Sequence, residues 1–309
     1  MIHIDELFRQ VTDQLVQNSK EQQSIDRERV FQPANMENRR FVEEIIGSLI
    51  LPGSRIEGYQ NLEELYNRSQ SGESSLILME HYSNFDIPNL FYLAKQHSSG
   101  VSVTDSIVAM AGTKLNEESR FVLAFTEAYT RIVIYPARLL KSLEGTDRYE
   151  TERARSRAIN RSALREMVRL KHSGHMVLLF PAGTRYRPGK PESKEILVEV
   201  DSYIKGFDHM VCIGIAGNTL EVSPVGNMEK DSPATDVVIY QVSEVTDTAK
   251  FRSRARASAP EGGETAKRAV ASAVQERFDS LHSEAETVRK AALEELSQRG
   301  IEPRSLHIE

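Results

Sequence analysis

The chain contains one cysteine, Cys212, in 309 residues. A lone thiol excludes an internal disulfide and any zinc or iron–sulfur site built from cysteines, and a reducing compartment is its simplest setting. Long hydrophobic runs are missing as well. The longest, Ile45–Leu51 and Met176–Pro181, are one strand in length, whereas a membrane span needs about 20 apolar residues. Positive charge is not in excess: 39 Lys and Arg stand against 45 Asp and Glu, a net charge of −6, which excludes a generally basic nucleic-acid binder. Proline (11) and glycine (17) are too few for a low-complexity chain. The first residues, Met1-Ile2-His3-Ile4-Asp5-Glu6, bring in acid early, unlike a secretory signal or an Arg- and Ser-rich transit peptide. A cytoplasmic protein is the expectation.

What is present is a globular composition, 39% hydrophobic and 27% charged, in a chain longer than one average domain but short enough to be one. Ile4, Leu7, Phe8, Val11 and Leu15 recur at helical spacing, and a second helix is predicted from about Ala34 through Ile46 before Pro52-Gly53 breaks the pattern. The period then alternates. Apolar runs of strand length (Ser75–Met79, Ile107–Met110, Ile132–Tyr135, Met176–Phe180, Met210–Ile215, Val237–Val242) are separated by amphipathic segments at Ile87–Gln96, Glu117–Tyr129 and Thr151–His172. That alternation predicts an α/β fold with a mixed, largely parallel sheet flanked by helices, with antiparallel pairing expected after Met210. Phe251–Gly263 reads as a polar linker. Beyond it, Val270, Val274, Phe278, Leu281, Ala285, Val288, Ala292 and Leu296 step by threes and fours toward a stop at Gly300, a long amphipathic C-terminal helix. The organisation expected is a small N-terminal helical region (1–52), an α/β domain (53–250), and a linker with its helix (251–309).

Two loops follow predicted strands, where ligands bind in open α/β sheets. One is Glu80-His81-Tyr82-Ser83-Asn84-Phe85-Asp86-Ile87-Pro88. The other is Phe180-Pro181-Ala182-Gly183-Thr184-Arg185-Tyr186-Arg187-Pro188. By itself Asp86 reads as a helix N-cap and His81 as a polar residue ending a strand. The chemical reading is a His81 general base whose second ring nitrogen is held by Asp86, as in a Ser-His-Asp triad without the serine, so that the hydroxyl it deprotonates belongs to a substrate. Arg185 and Arg187 share a face if the segment is extended, and Arg is the side chain suited to a phosphate dianion. The segment from Arg131 to Lys171 holds eleven basic and five acidic residues, with Arg153, Arg157, Arg161, Arg165 and Arg169 recurring every fourth position. Such a stripe is either a solvated helix face or a dock for an anionic partner.

The order strand, H-x-S-x-x-D, apolar helix and, about a hundred residues later, strand and F-P-x-G-T-R resembles the glycerolipid acyltransferase family. His81, Ser83 and Asp86 stand where the first family block places them. Phe180, Pro181, Gly183, Thr184 and Arg185 match the third. The resemblance runs from about Gly58 to Val225 and is nearest to the soluble glycerol-3-phosphate acyltransferases of plastid type, whose G-x-R-x-R-P is matched by Gly183–Pro188. Ile132–Arg138 resembles the second block with its basic pair reduced to Arg138, and Val211–Ala216 the fourth. Glu80 replaces the common Asn, and Ala182 replaces a Glu linked to acceptor binding that the plastid-type enzymes also lack.

The resemblance implies transfer of a fatty acyl group from acyl-CoA or acyl-carrier protein to the sn-1 hydroxyl of glycerol-3-phosphate. His81 would be the base and Asp86 its partner. Arg185, Arg187 and Arg138 would hold the phosphate, and Ser83, Gly183 and Thr184 would line the substrate and oxyanion loop. No metal and no bound cofactor are implied, and peripheral contact with the inner face of a membrane is compatible with it. The alternatives are acylation of 1-acylglycerol-3-phosphate or another lipid hydroxyl, and a non-catalytic lipid- or carrier-binding protein on the same fold. A hydrolase is disfavoured, because the chain has no G-x-S-x-G elbow.

Overall fold

The computed structural model describes residues 13–19, 24–113, 115, 120–223, 231–257 and 263–305. Its central sheet has nine strands. These are β1 (Phe31–Gln32), β2 (Arg55–Glu57), β3 (Ser75–Met79), β4 (Ile107–Gly112), β5 (Arg131–Ile134), β6 (Met176–Leu179), β7 (His209–Ala216) and, after a detour, β10 (Ile239–Val242) and β11 (Thr246–Asp247). The detour is β8 (Leu220–Glu221) and β9 (Ser232–Thr235), which with β12 (Arg304–Ser305) make a separate three-stranded sheet. The main order is β1-β5-β4-β6-β3-β7-β10-β2, with β11 alongside β7. From β5 to β7 every neighbouring pair is parallel, and β10 then runs antiparallel to β7. The α/β fold expected from the sequence is therefore the one adopted, including the change of direction after Met210.

All five residues of β3 are buried, because both faces of the sheet are covered. Ile77 and Met79 point into a core shared with α1 (Met36–Leu49), α2 (Tyr59–Gln70), α3 (Asp86–Ala94), α4 (Gly100–Asp105) and α5 (Arg120–Glu127). Leu76 and Leu78 point the other way, toward α6 (Ala137–Lys141), α7 (Tyr149–Lys171), α8 (Val200–Ile204), α9 (Thr248–Ala257) and α10 (Gly263–Gln298). Residues of the expected N-terminal helical region join the main core. Asn35 caps α1 by accepting from Asn38 N–H at 3.2 Å, and Val42, Ile45, Ile46 and Leu49 enter the main core. β1 adds an antiparallel edge to β5. Of the helix expected around Ile4–Leu15, most lies outside the described residues, and Leu15 is buried in that same core.

The polar linker expected at Phe251–Gly263 is a helix through Ala257, with 258–262 outside the described residues. Its apolar stripe is only Phe251 and Ala255, packed toward α10, and its Arg252 and Arg256 hold Asp201 at 2.7 and 2.6 Å. Two contacts at i, i+4 on a polar background hide a helix from a hydrophobicity pattern. The C-terminal helix ends two residues before Gly300, whose φ is 70°. It crosses β7 very closely: a Cβ on Gly214 would lie 2.7 Å from Leu281 Cβ and 2.8 Å from His282 N. Among the described residues no helix is long and apolar enough to cross a membrane.

Candidate active site

The first loop leaves the carboxyl end of β3 and the second that of β6. These strands are neighbours, in the register Leu78 opposite Leu179, so the two segments meet at one sheet edge. The main chain of the loops is tied directly, Tyr186 N–H donating to His81 O at 2.7 Å. Phe180 stacks on the His81 ring, with centroids 3.9 Å apart and planes 17° from parallel.

Asp86 opens α3, but it is not the cap. The cap position is Phe85, and the Asp86 side chain turns back over the loop. Its Oδ2 lies 2.8 Å from His81 Nδ1 and accepts Tyr82 N–H at 2.7 Å and Ser83 N–H at 3.0 Å. Oδ1 takes Ser83 Oγ–H at 3.2 Å. A carboxylate only accepts, so the hydrogen on this side of the imidazole is on Nδ1, and Nε2 carries the free lone pair. Asp86 is 2% exposed, and Tyr240 Oη–H donates to its carbonyl at 2.6 Å from β10 below. The arrangement holds ring, tautomer and charge partner in place before any substrate arrives.

Ser83 is 1% exposed, with its hydroxyl spent on Asp86 and on Phe85 N–H, so it shapes the loop and offers no face to a substrate. Gly183 has φ 65°, a conformation that a side chain would strain, and a Cβ there would meet Leu197 Cδ1 at 2.8 Å. Its N–H is taken by Phe180 O at 2.9 Å. The N–H groups of Thr184 and Arg185, like that of Ala182, carry no hydrogen bond among the described residues, which leaves donors on this loop for an oxyanion.

The two arginines part company. Arg185 pairs with Asp231, which is 1% exposed at the side chain and also accepts Ser223 N–H at 2.9 Å, so it ties the motif loop to the small sheet. Arg187 has only its main chain engaged, donating to Ser193 Oγ at 2.9 Å, and its guanidinium has no partner among the described residues. Arg138 is exposed on α6, at the same edge of the sheet. β5 lies three strands from β3, about 14 Å at the usual strand spacing, and among the described residues no contact ties Arg138 to the His81 loop.

Sequence reading missed the groups behind the loop. The Glu80 carboxylate accepts Ile215 N–H at 2.9 Å and Tyr82 Oη–H at 3.0 Å. Lys194 Nζ donates to Tyr82 Oη at 2.7 Å and sits 4.7 Å from the centroids of both Tyr82 and Tyr186. Burial, reinforced by the Glu80 charge, raises the Tyr82 phenol far above its ordinary pKa. The only signal for this group in the sequence is Glu80 itself, the departure from the motif. Met79 to Tyr82, Ala182, Tyr186, Lys194 and Phe278 line a cavity of about 20 Å³ here, room for one water. Among the described residues no three His, Cys, Asp or Glu side chains converge as metal ligands. No family model and no curated protein matches this chain.

Proposed function

We propose that the protein is an acyltransferase that moves a fatty acyl group from a thioester to the hydroxyl of a phosphorylated glycerol acceptor, with glycerol-3-phosphate the first choice. The observation that carries this reading is the buried Asp86 holding His81 Nδ1, with no hydrogen bond to Nε2 and no serine hydroxyl on it among the described residues. A His–Asp pair of that kind draws a proton from a hydroxyl that the substrate brings. The alkoxide attacks the thioester carbonyl, and a tetrahedral oxyanion forms with Thr184 and Arg185 N–H groups at hand. The thiolate then leaves and takes up the proton from His81. Arg187, whose guanidinium has no partner among the described residues, is the cation we assign to the acceptor phosphate, while Arg185, bound to Asp231, builds the loop. The resemblance to the glycerolipid acyltransferases supports the same assignment through both loops. The fatty thioester is acyl-CoA or acyl-carrier protein.

The test is thiol release from acyl-CoA and from acyl-carrier protein, with and without glycerol-3-phosphate, and identification of the product. Acceptor-dependent release with acyl transfer to glycerol-3-phosphate supports the proposal, and transfer to 1-acylglycerol-3-phosphate alone moves it to the neighbouring acceptor. Acceptor-independent release makes the protein a thioesterase, and no release with either donor makes it a binding protein.

A further inference from the structure

The ladder between β3 and β7 pairs Met79 with Ile213, and Glu80 N–H continues it to Ile213 O at 3.1 Å. In the parallel pattern the next bond would run from Ile215 N–H to Glu80 O, while His81 O, on the β6 side, accepts Tyr186 N–H. The buried Ile215 N–H is satisfied by the Glu80 side chain in place of main chain, which lets residue 81 peel away from the sheet and point its ring at Asp86. A carboxylate so placed is 10% exposed, and a second ionisable side chain stands beside it. The neighbour is His282, on α10 and 200 residues along the chain from Tyr82. Its Nδ1 lies 2.7 Å from Ile215 O, 3.1 Å from Tyr82 Oη and 3.5 Å from Glu80 Oε2. Gly214, where no Cβ fits beneath the helix, is what lets His282 come so near.

We infer that His282 and Glu80 are positioning residues for His81: the C-terminal helix, through this pair, sets the main chain on either side of the base. The inference rests on the acyltransferase reading for its kinetic arm only. Neither residue touches a reacting atom. Glu80 fixes where β3 ends, Tyr82 links it to Lys194, and His282 locks the carboxylate against β7. Loss of His282 loosens the point from which His81 departs, and small misplacement of a base lowers turnover without changing how the acceptor phosphate is held.

The experiment compares the parent with His282→Ala, His282→Asn and Glu80→Gln. An Asn amide can replace Nδ1–H as donor to Ile215 O. Expected for His282→Ala is a fall in kcat of roughly ten- to a hundredfold at unchanged acceptor KM, with His282→Asn recovering most of it. Glu80→Gln keeps an acceptor for Ile215 N–H but removes the charge, and is expected to fall between the two. Amide hydrogen exchange, read in parallel at Ile215 and Tyr186, should accelerate in His282→Ala and return toward the parent in His282→Asn. Parent-like kcat and exchange in His282→Ala overturn the inference. So does a variant that loses thermal stability alone, with kcat intact below its transition. If His282→Ala does not fold, Glu80→Gln decides by the same readings. Should the parent show no acceptor-dependent turnover, the acyltransferase reading fails, and the exchange data alone support or overturn the clamp.

Discussion

Replacing Asp86 with Asn keeps the shape of the side chain and removes its charge and its capacity to accept on both oxygens. In the parent, Oδ2 faces His81 Nδ1 and the Tyr82 and Ser83 N–H groups, and Oδ1 faces Ser83 Oγ–H. An Asn with its oxygen at the Oδ2 position preserves the His81 contact but loses the charge that stabilises an imidazolium. With its amide nitrogen there, it meets Tyr82 N–H head on and forces His81 to accept on Nδ1, which puts the hydrogen on Nε2 and abolishes the base. Loss of one buried acceptor costs about 1–3 kcal/mol of stability, small enough for the variant to fold. Either orientation lowers turnover by roughly 10²–10⁴. At about 1.4 kcal/mol per decade this is roughly 3–6 kcal/mol of transition-state stabilisation. The assay is acceptor-dependent thiol release by Asp86→Asn, His81→Ala and the double variant, with circular dichroism confirming equal folded fractions. Because the two residues act as one unit, the double variant should be no slower than His81→Ala. Asp86→Asn turnover within about threefold of the parent, or a double variant whose losses multiply, refutes the catalytic pair.

The arginines should separate experimentally. Arg187→Ala is expected to raise the acceptor KM by an amount worth about 1.5–3 kcal/mol while the melting temperature holds. Arg185→Ala strands the buried Asp231 and is expected to cost about 3 kcal/mol of stability, read by urea unfolding. His282 has its pKa raised, first by its hydrogen bond to Glu80 against the opposing effect of burial, with Tyr82, Lys194 and Glu286 the other ionisable groups around the pair. A raised histidine pKa stabilises the fold fully below about pH 6.5, and that contribution is lost as pH climbs through the folded-state value. The melting temperature of the parent relative to His282→Asn should therefore narrow from pH 6 toward alkaline pH, and a gap independent of pH contradicts the assignment. On α7, Arg157, Arg161 and Arg165 are exposed without ion-pair partners among the described residues, beside exposed Leu164 and Val168. Arg157→Glu/Arg161→Glu should weaken binding to anionic vesicles or acyl-carrier protein in low salt while sparing turnover on soluble acyl-CoA, and unchanged binding returns this face to plain solvation.

Periodicity alone determined the α/β layer, because strands buried on both faces are written as unbroken apolar runs and their crossovers as amphipathic ones. Ser75–Met79 is legible for that reason, as is the long final helix with its eight apolar positions. The two loops were legible too, since His81, Asp86 and the Gly183–Pro188 turn lie within short segments whose geometry is local. What the sequence could not hold is anything that depends on which strands become neighbours. That Arg185 would be spent on Asp231 follows from the docking of the small sheet, and that Arg138 would follow a strand three places from β3 follows from the order of the main sheet, and both are matters of tertiary packing. The same holds for the short strands β1, β2, β8, β9 and β12, where two to four residues carry no period and exist only as pairing partners. His282 is the furthest case: on its helix it reads as one more polar position, and only the crossing of α10 over Gly214 brings it to Glu80, behind the base.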